Sequence, residues 1–298
     1  MNELSDETKK LFQYDSTIPF DYEDKMVKEE NGVVIHDVNY TSPKTGKITA
    51  YLILPSKRKP VAGFIYGHFG YGTRTQYIPE GKLFARSGIA CLLTDFPWVR
   101  PAPWRTHFGN YTKPETDYAA YLQAIIDIRR SVDLLQTLKK VKVKKIAYIG
   151  HSIGAQCGCI ATALDIRIQA FVIVGGVPHT ETPYFDNDDP DMVGFRNYFK
   201  KEDLDKYFAM MRFFDPIDYV GFISPRSILF QFARFERYFG DKAMNDYYNA
   251  AKEPKEIKWY DTGHELNDIQ VTLDRAQWLE KQLNLKRLVS AVKRAVKF

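Results

Sequence analysis

The sequence predicts an α/β fold: a mostly parallel sheet with an N-terminal antiparallel hairpin, helices on both faces, and one long insertion. Three observations carry this prediction. From residue 61 onward, short unbroken apolar runs alternate with amphipathic segments, the pattern of parallel strands buried on both faces. Before that point, "GVVIHDVNYTSPKTGKITAYLILP" contains two alternating runs joined by Pro-Lys-Thr-Gly, which reads as a hairpin at a sheet edge. The composition, 45% hydrophobic and 27% charged without a polar low-complexity tract, is that of a soluble globular protein. At 298 residues the chain exceeds the usual domain size, yet one core enlarged by an insertion reaches this length, so a single domain over 1–298 is expected.

In chain order, the hairpin strands are expected at 33–40 and 48–54. Buried strands follow at 61–66, 90–94, 146–149, 170–174, 227–232 and 256–260. Helices are expected at 79–86, 117–138, 153–163 and 241–251, with a last one after His264. After the sixth strand, residues 177–218 are far too long for an ordinary strand-to-helix connection and read as a cap or lid. The tyrosines, phenylalanines and methionines of this segment either face a substrate or close its own small core.

Charge and targeting narrow the function classes. Lys and Arg number 42 against 37 Asp and Glu, a net charge of only +5, and the basic residues are scattered except near the C-terminus. That distribution argues against nucleic acid and for a small-molecule partner. The lead-in "MNELSDETKKLFQYD" lacks the apolar core of a signal peptide, and no window is apolar enough to span a bilayer, so a cytoplasmic protein is expected. Cys91, Cys157 and Cys159 fit a reducing compartment and read as packing residues, not as a disulfide or metal site.

The motif that carries chemistry is "KKIAYIGHSIGAQCG". A Gly-x-Ser-x-Gly match is weak alone, but here it follows a predicted strand and opens a predicted helix. That is the setting of a nucleophile elbow, where a strained serine is presented above the sheet. A serine hydroxyl needs a base to remove its proton, and the chain offers six histidines. His36, His68 and His107 precede Ser152, and His151 adjoins it. In this type of fold the order is serine, acid, histidine. Only Asp165, at the far end of a helix, separates Ser152 from His179, so His264 in "KWYDTGHELND" is the candidate base. It follows the final strand, on the same rim of the sheet as Ser152.

The acid that orients His264 should hang from another C-terminal strand tip. Glu236, in "ARFERYFGD" after the strand at 227–232, is the first choice. Asp241 stands second, at a position where an aspartate also caps a helix, and Asp215 in "FFDPIDYV" third. The oxyanion formed on attack needs backbone N–H donors. One should be Ile153, directly after the serine; the other should come from the glycine-rich loop "IYGHFGYGTR", with Phe69 as the donor and His68 as a structural histidine.

Taken together, "GHFGYG", "GIACLLTDFP", "GHSIGA", "FFDPIDYV" with "PRSILFQFARFER", and "DTGHEL" resemble the α/β-hydrolase superfamily, more narrowly its dienelactone hydrolase and acyl-peptidase-like esterase branch. The resemblance spans about residues 33–283. It implies a serine esterase that forms an acyl-enzyme on Ser152 and deacylates it with water activated by His264, without metal or cofactor. Two positions depart from the family's habit: Phe69 stands where glycine usually follows the histidine, and Glu236 where aspartate is more common. Relatives that cut peptides carry a large N-terminal propeller for which the short lead-in has no room. Esters of small or medium size are therefore the expected substrates, with acyl transfer to an alcohol or peptide cleavage by the same triad, and non-catalytic ligand binding, as the alternatives.

Two weaker signals remain. The acidic run "DNDDPD" lacks the glycine and glutamate of a calcium loop and reads as a solvated turn. In the C-terminal segment 284–298, Leu285, Leu288, Val289, Val292 and Val296 share one helical face, with basic residues elsewhere. Such a stripe packs on the body of the protein or on a second subunit more readily than it lies on a membrane.

Overall fold

The apolar runs of the sequence become the centre of one twisted sheet. The computed structural model describes residues 4–141, 143–185 and 188–296. Among them, nine strands form the sheet: β1 (Glu23–Glu30), β2 (Val33–Thr41), β3 (Lys47–Pro55), β4 (Ala62–Gly67), β5 (Ile89–Thr94), β6 (Ile146–His151), β7 (Ile168–Val174), β8 (Ser227–Phe235) and β9 (Lys255–Gly263). Their spatial order is β1-β2-β3-β5-β4-β6-β7-β8-β9. The first three are antiparallel, β3 joins β5 antiparallel, and every pairing from β5 to β9 is parallel. The expected fold class is the observed one, and the hairpin pairs Val33 with Pro55 through Thr41 with Lys47.

The helices are α1 (Asp6–Leu11), α2 (Ile78–Arg86), α3 (Pro114–Thr137), α4 (Ile153–Leu164), α5 (Thr182–Phe185), α6 (Pro190–Tyr198), α7 (Lys201–Met211), α8 (Ile217–Val220), α9 (Asp241–Ala250), α10 (Ile269–Leu283) and α11 (Leu288–Val296). The strand period of two sends alternate residues to two separate cores. Phe171 of β7 belongs to the core that also holds Ile125 of α3, Ile160 of α4 and Phe208 of α7. Its neighbour Val172 belongs to the core on the other face, with Phe84 of α2, Leu279 of α10 and Leu288 of α11. Each such side chain contributes roughly 1.5–3 kcal/mol on leaving water.

Three features differ from the sequence expectation. β1, "EDKMVKEE", is almost wholly exposed and has no apolar alternation; its pairing with β2 and the bridges Lys47–Glu23 (2.7 Å) and His36–Asp24 (2.7 Å) hold it. This polar edge strand shifts the numbering, so the long insertion follows the seventh strand and not the sixth. The polar lead-in contains α1, capped by Ser5. The C-terminal helix starts at Leu288, not at residue 284, because Asn284 and Arg287 take positive φ values and break the chain away from α10. Leu285, Leu288 and Val292 are buried, and Ser87 at the end of α2 donates to Arg287 O (2.9 Å), which fixes the apolar stripe on the body of the protein. Lys297 and Phe298 lie outside the described residues, as do Asp186 and Asn187 of the acidic run.

Between β7 and β8 the chain builds α5 to α8. Leu204, Tyr207, Phe208 and Met211 of α7 are buried. Cys91, Cys157 and Cys159 are buried free thiols. No helix among the described residues is long and apolar enough to cross a membrane.

Candidate active site

Parallel strands bring their C-terminal ends to one rim, and the candidate residues hang from four of them. Ser152 sits between β6 and α4 with φ 56° and ψ −119°. For a residue with a Cβ this conformation costs about 1–3 kcal/mol and persists only where neighbours impose it. Here the Ser152 N–H donates to Val174 O (2.9 Å), and Ser152 O accepts from the N–H groups of Ala155 (2.9 Å) and Gln156 (3.0 Å). Gly150 and Gly154 allow the tight turn: a Cβ on Gly150 would fall on the Gly154 backbone, and one on Gly154 on the carbonyls of Gly67 and His68.

His264 follows β9, and Glu236 follows β8. Nδ1 of His264 lies 2.7 Å from Glu236 Oε2, with the carboxylate side chain only 2% exposed. The other oxygen, Oε1, accepts the Tyr238 N–H (3.1 Å). Tyr238 and Phe239 meet the imidazole edge-on at 4.8 and 6.0 Å, and Gly175 packs so closely that a Cβ there would lie 3.4 Å from Nδ1. With Nδ1 engaged, Nε2 is the nitrogen left for the cavity that Ser152 and His264 both line. Ser152 Oγ and His264 Nε2 make no hydrogen bond to any described residue. Of the other candidate acids, Asp215 binds His179 Nδ1 (3.0 Å) and the Thr180 N–H (2.7 Å), and Asp241 is the first residue of α9.

The expected second oxyanion donor requires a correction. Ile153 is the first residue of α4, and its N–H has no partner in the helix, as helix geometry dictates. Phe69, the expected second donor, instead gives its N–H to the side-chain oxygen of Gln76 (2.9 Å). Gly70, next along, is buried, lines the cavity and has an N–H without a partner among the described residues. The loop is held from outside by Trp98 Nε1, which donates to Gly70 O (2.7 Å), and by the Arg74 N–H, which donates to Asp95 Oδ1 (2.7 Å). His68 is a structural residue: the Phe96 N–H donates to its Nε2 (3.1 Å), so its Nδ1–H donates to Phe69 O (2.6 Å). Burial pushes this imidazole down to about 4.

Gln76 and His151 form a connection that sequence reasoning did not find. His151 Nε2 faces the carbonyl of His264 at 2.8 Å, and a carbonyl only accepts. His151 is 3% exposed, and burial, with His264 beside it, pushes it down to about 3, so it is neutral. Its Nδ1 is therefore an acceptor and takes Gln76 Nε2–H (2.8 Å), which leaves the Gln76 oxygen for Phe69. One directed chain thus runs from the glycine-rich loop after β4, through Gln76 and His151, to the backbone of His264.

The cavity beyond Ser152 measures about 380 Å³. Phe108 and Tyr121 form one wall, stacked on the buried Trp98 at 4.5 and 5.7 Å. A second group of lining rings gathers around Tyr111, whose ring lies 4.6 Å from Phe195, 4.6 Å from Tyr207 and 5.0 Å from Phe199. Residues of the insertion thus both line the cavity and pack into the core. Arg237, next to Glu236, binds Asp189 (3.0 Å) and Asp191 (3.1 Å) and so joins the acid-bearing loop to α6.

With this geometry in place, comparison with known proteins decides the family. A model of the alpha/beta hydrolase fold matches residues 65–288. The chain belongs to the α/β-hydrolase fold family. No protein of curated function matches this α/β-hydrolase in sequence. Among solved structures, the acetyl xylan esterase from Paenibacillus sp. R4 is similar over 93% of this chain and 93% of its own, with a TM-score of 0.77 and 21% identity. Acetyl xylan esterase 1 from Thermoanaerobacterium sp. JW/SL YS485 is similar over 89% and 90%, with a TM-score of 0.69 and 15% identity. The esterase Pf2001 from Pyrococcus furiosus matches over 99% and 96%, with a TM-score of 0.54 and 16% identity. At such identities the likeness is one of fold.

Proposed function

We propose that this α/β-hydrolase is a serine esterase acting on carboxylic esters of small or medium size. The observation that carries the reading is the buried Glu236–His264 pair at 2.7 Å, which opens on the cavity that holds a strained Ser152 whose hydroxyl has no partner among the described residues. Ser152 Oγ attacks the ester carbonyl while its proton passes to His264 Nε2. Glu236 holds the ring in the Nδ1–H tautomer and balances the imidazolium. The oxyanion is met by the Ile153 N–H and by an N–H of the Phe69–Gly70 segment, of which that of Gly70 is unengaged. Collapse breaks the bond to the alcohol, which leaves with the proton from Nε2. Water, deprotonated by the same nitrogen, then attacks the acyl-enzyme, and the acid departs as Ser152 regains its proton. The insertion serves as the lid of the cavity.

That several structural neighbours are named esterases agrees with this reading. Turnover of short 4-nitrophenyl esters by Ser152→Ala tests it. The variant should retain no more than about a ten-thousandth of the wild-type kcat; unchanged turnover would assign the chemistry to another residue.

A further inference from the structure

Resting on the esterase reading, the lining of the cavity narrows the substrate. Among the described residues, no Lys, Arg, Asp or Glu lines the cavity. Several of the polar side chains that do line it are already engaged. Tyr111 Oη donates to Tyr184 Oη (2.9 Å), and Tyr207 Oη to Asp117 Oδ2 (2.7 Å). The Gln156 amide donates to Thr180 Oγ1 (2.9 Å) and Phe214 O (3.0 Å). A substrate rich in hydroxyls would lose water to walls made mostly of aromatic rings, which costs roughly 1–3 kcal/mol for each group left unpaired.

What the cavity does offer is ring faces and ring edges. The Phe108 and Tyr121 planes lie within 24° of each other, 6.1 Å apart, while Phe195 stands at 73° to Tyr111. These walls can stack on one aromatic guest and meet its edge at the same time. Size agrees: about 150 Å³ accommodates a benzene ring, so 380 Å³ holds a ring, an ester and a short linker.

We propose that the substrates are neutral esters bearing an aryl group a few carbons from the ester carbonyl. Two pairs of esters test this with the intact protein, and they distinguish an acyl-side ring from an alcohol-side ring. Methyl 3-phenylpropanoate is compared with methyl 3-cyclohexylpropanoate, and 2-phenylethyl acetate with 2-cyclohexylethyl acetate. Each partner has similar apolar bulk, but only one has a π face. In at least one pair the aryl ester should win by about three- to tenfold in kcat/KM, and glucose pentaacetate should be the poorest substrate. In Phe199→Leu that aryl preference should shrink toward unity. Equal rates within both pairs, or a preference for the sugar acetate, would overturn the substrate class. If Ser152 is still labelled by a fluorophosphonate, the esterase reading survives that result. If nothing is labelled and nothing turns over, both readings fall together.

Discussion

Glu236 touches His264 through one carboxylate oxygen, at 2.7 Å from Nδ1, and is anchored by the other to the Tyr238 N–H. This double hold gives glutamate, with its longer side chain, the fixed position that an aspartate would reach by being shorter. Glu236→Gln keeps the size but offers an amide that stabilises the wrong imidazole tautomer. Its kcat should fall by about 10³–10⁴-fold. Asp241→Asn should stay within about twofold, because Asp241 opens a helix and does not contact His264. Steady-state kinetics of the two variants compares them, and a larger loss in the Asp241 variant would reassign the acid.

Gln76 tests whether the chain from Phe69 to His264 positions the site. Gln76→Leu leaves the Phe69 N–H and His151 Nδ1 without partners at similar side-chain volume. The expected outcome is a fall of kcat by about tenfold with KM little changed, restored in part by Gln76→Asn. A KM effect alone would show that Gln76 merely shapes the cavity.

His68 and His151 are both neutral in the fold, held down to about 4 and about 3. A free histidine titrates near 6.5. Below that pH the unfolded chain binds these two protons and the native protein does not, so stability is full above about 6.5 and falls as the pH drops toward 4. The slope should be roughly 3 kcal/mol per pH unit for the two groups together near pH 5. Urea unfolding at pH 7, 6 and 5 measures it, and a flat profile would mean that the two rings protonate in the native state.

Arg237 joins the loop of Glu236 to Asp189 and Asp191 of the insertion through exposed ion pairs. Such pairs contribute little to global stability and are screened by salt. Arg237→Gln should leave Tm within about 2 °C but raise KM by roughly two- to fivefold at low salt. In 0.5 M NaCl the difference from wild type should disappear. A KM gap that persists in salt would assign Arg237 a role in the cavity itself.

How much of this was legible in the sequence depended on whether a residue acts through its pattern or through its neighbours. β4 to β7 are buried along nearly their whole length, and their apolar runs announced them. β1 is written in charged residues and exists because β2 offers it an edge, so no periodicity marked it. Ser152, Glu236 and His264 could be chosen because each follows a strand whose end was recognisable, and the structure brings the three to one rim. The Phe69 N–H could not be judged that way. Its direction depends on a glutamine seven residues on, folded back by Arg74 and Asp95, and side-chain amides leave no period in a sequence.

The central claim is that Ser152 is an activated nucleophile. The most direct measurement is to treat the native protein with a fluorophosphonate, record its intact mass and map the modified peptide. The account predicts a single adduct on Ser152, absent from Ser152→Ala and strongly slowed in His264→Ala. An unmodified protein, or an adduct on any other residue, would contradict it.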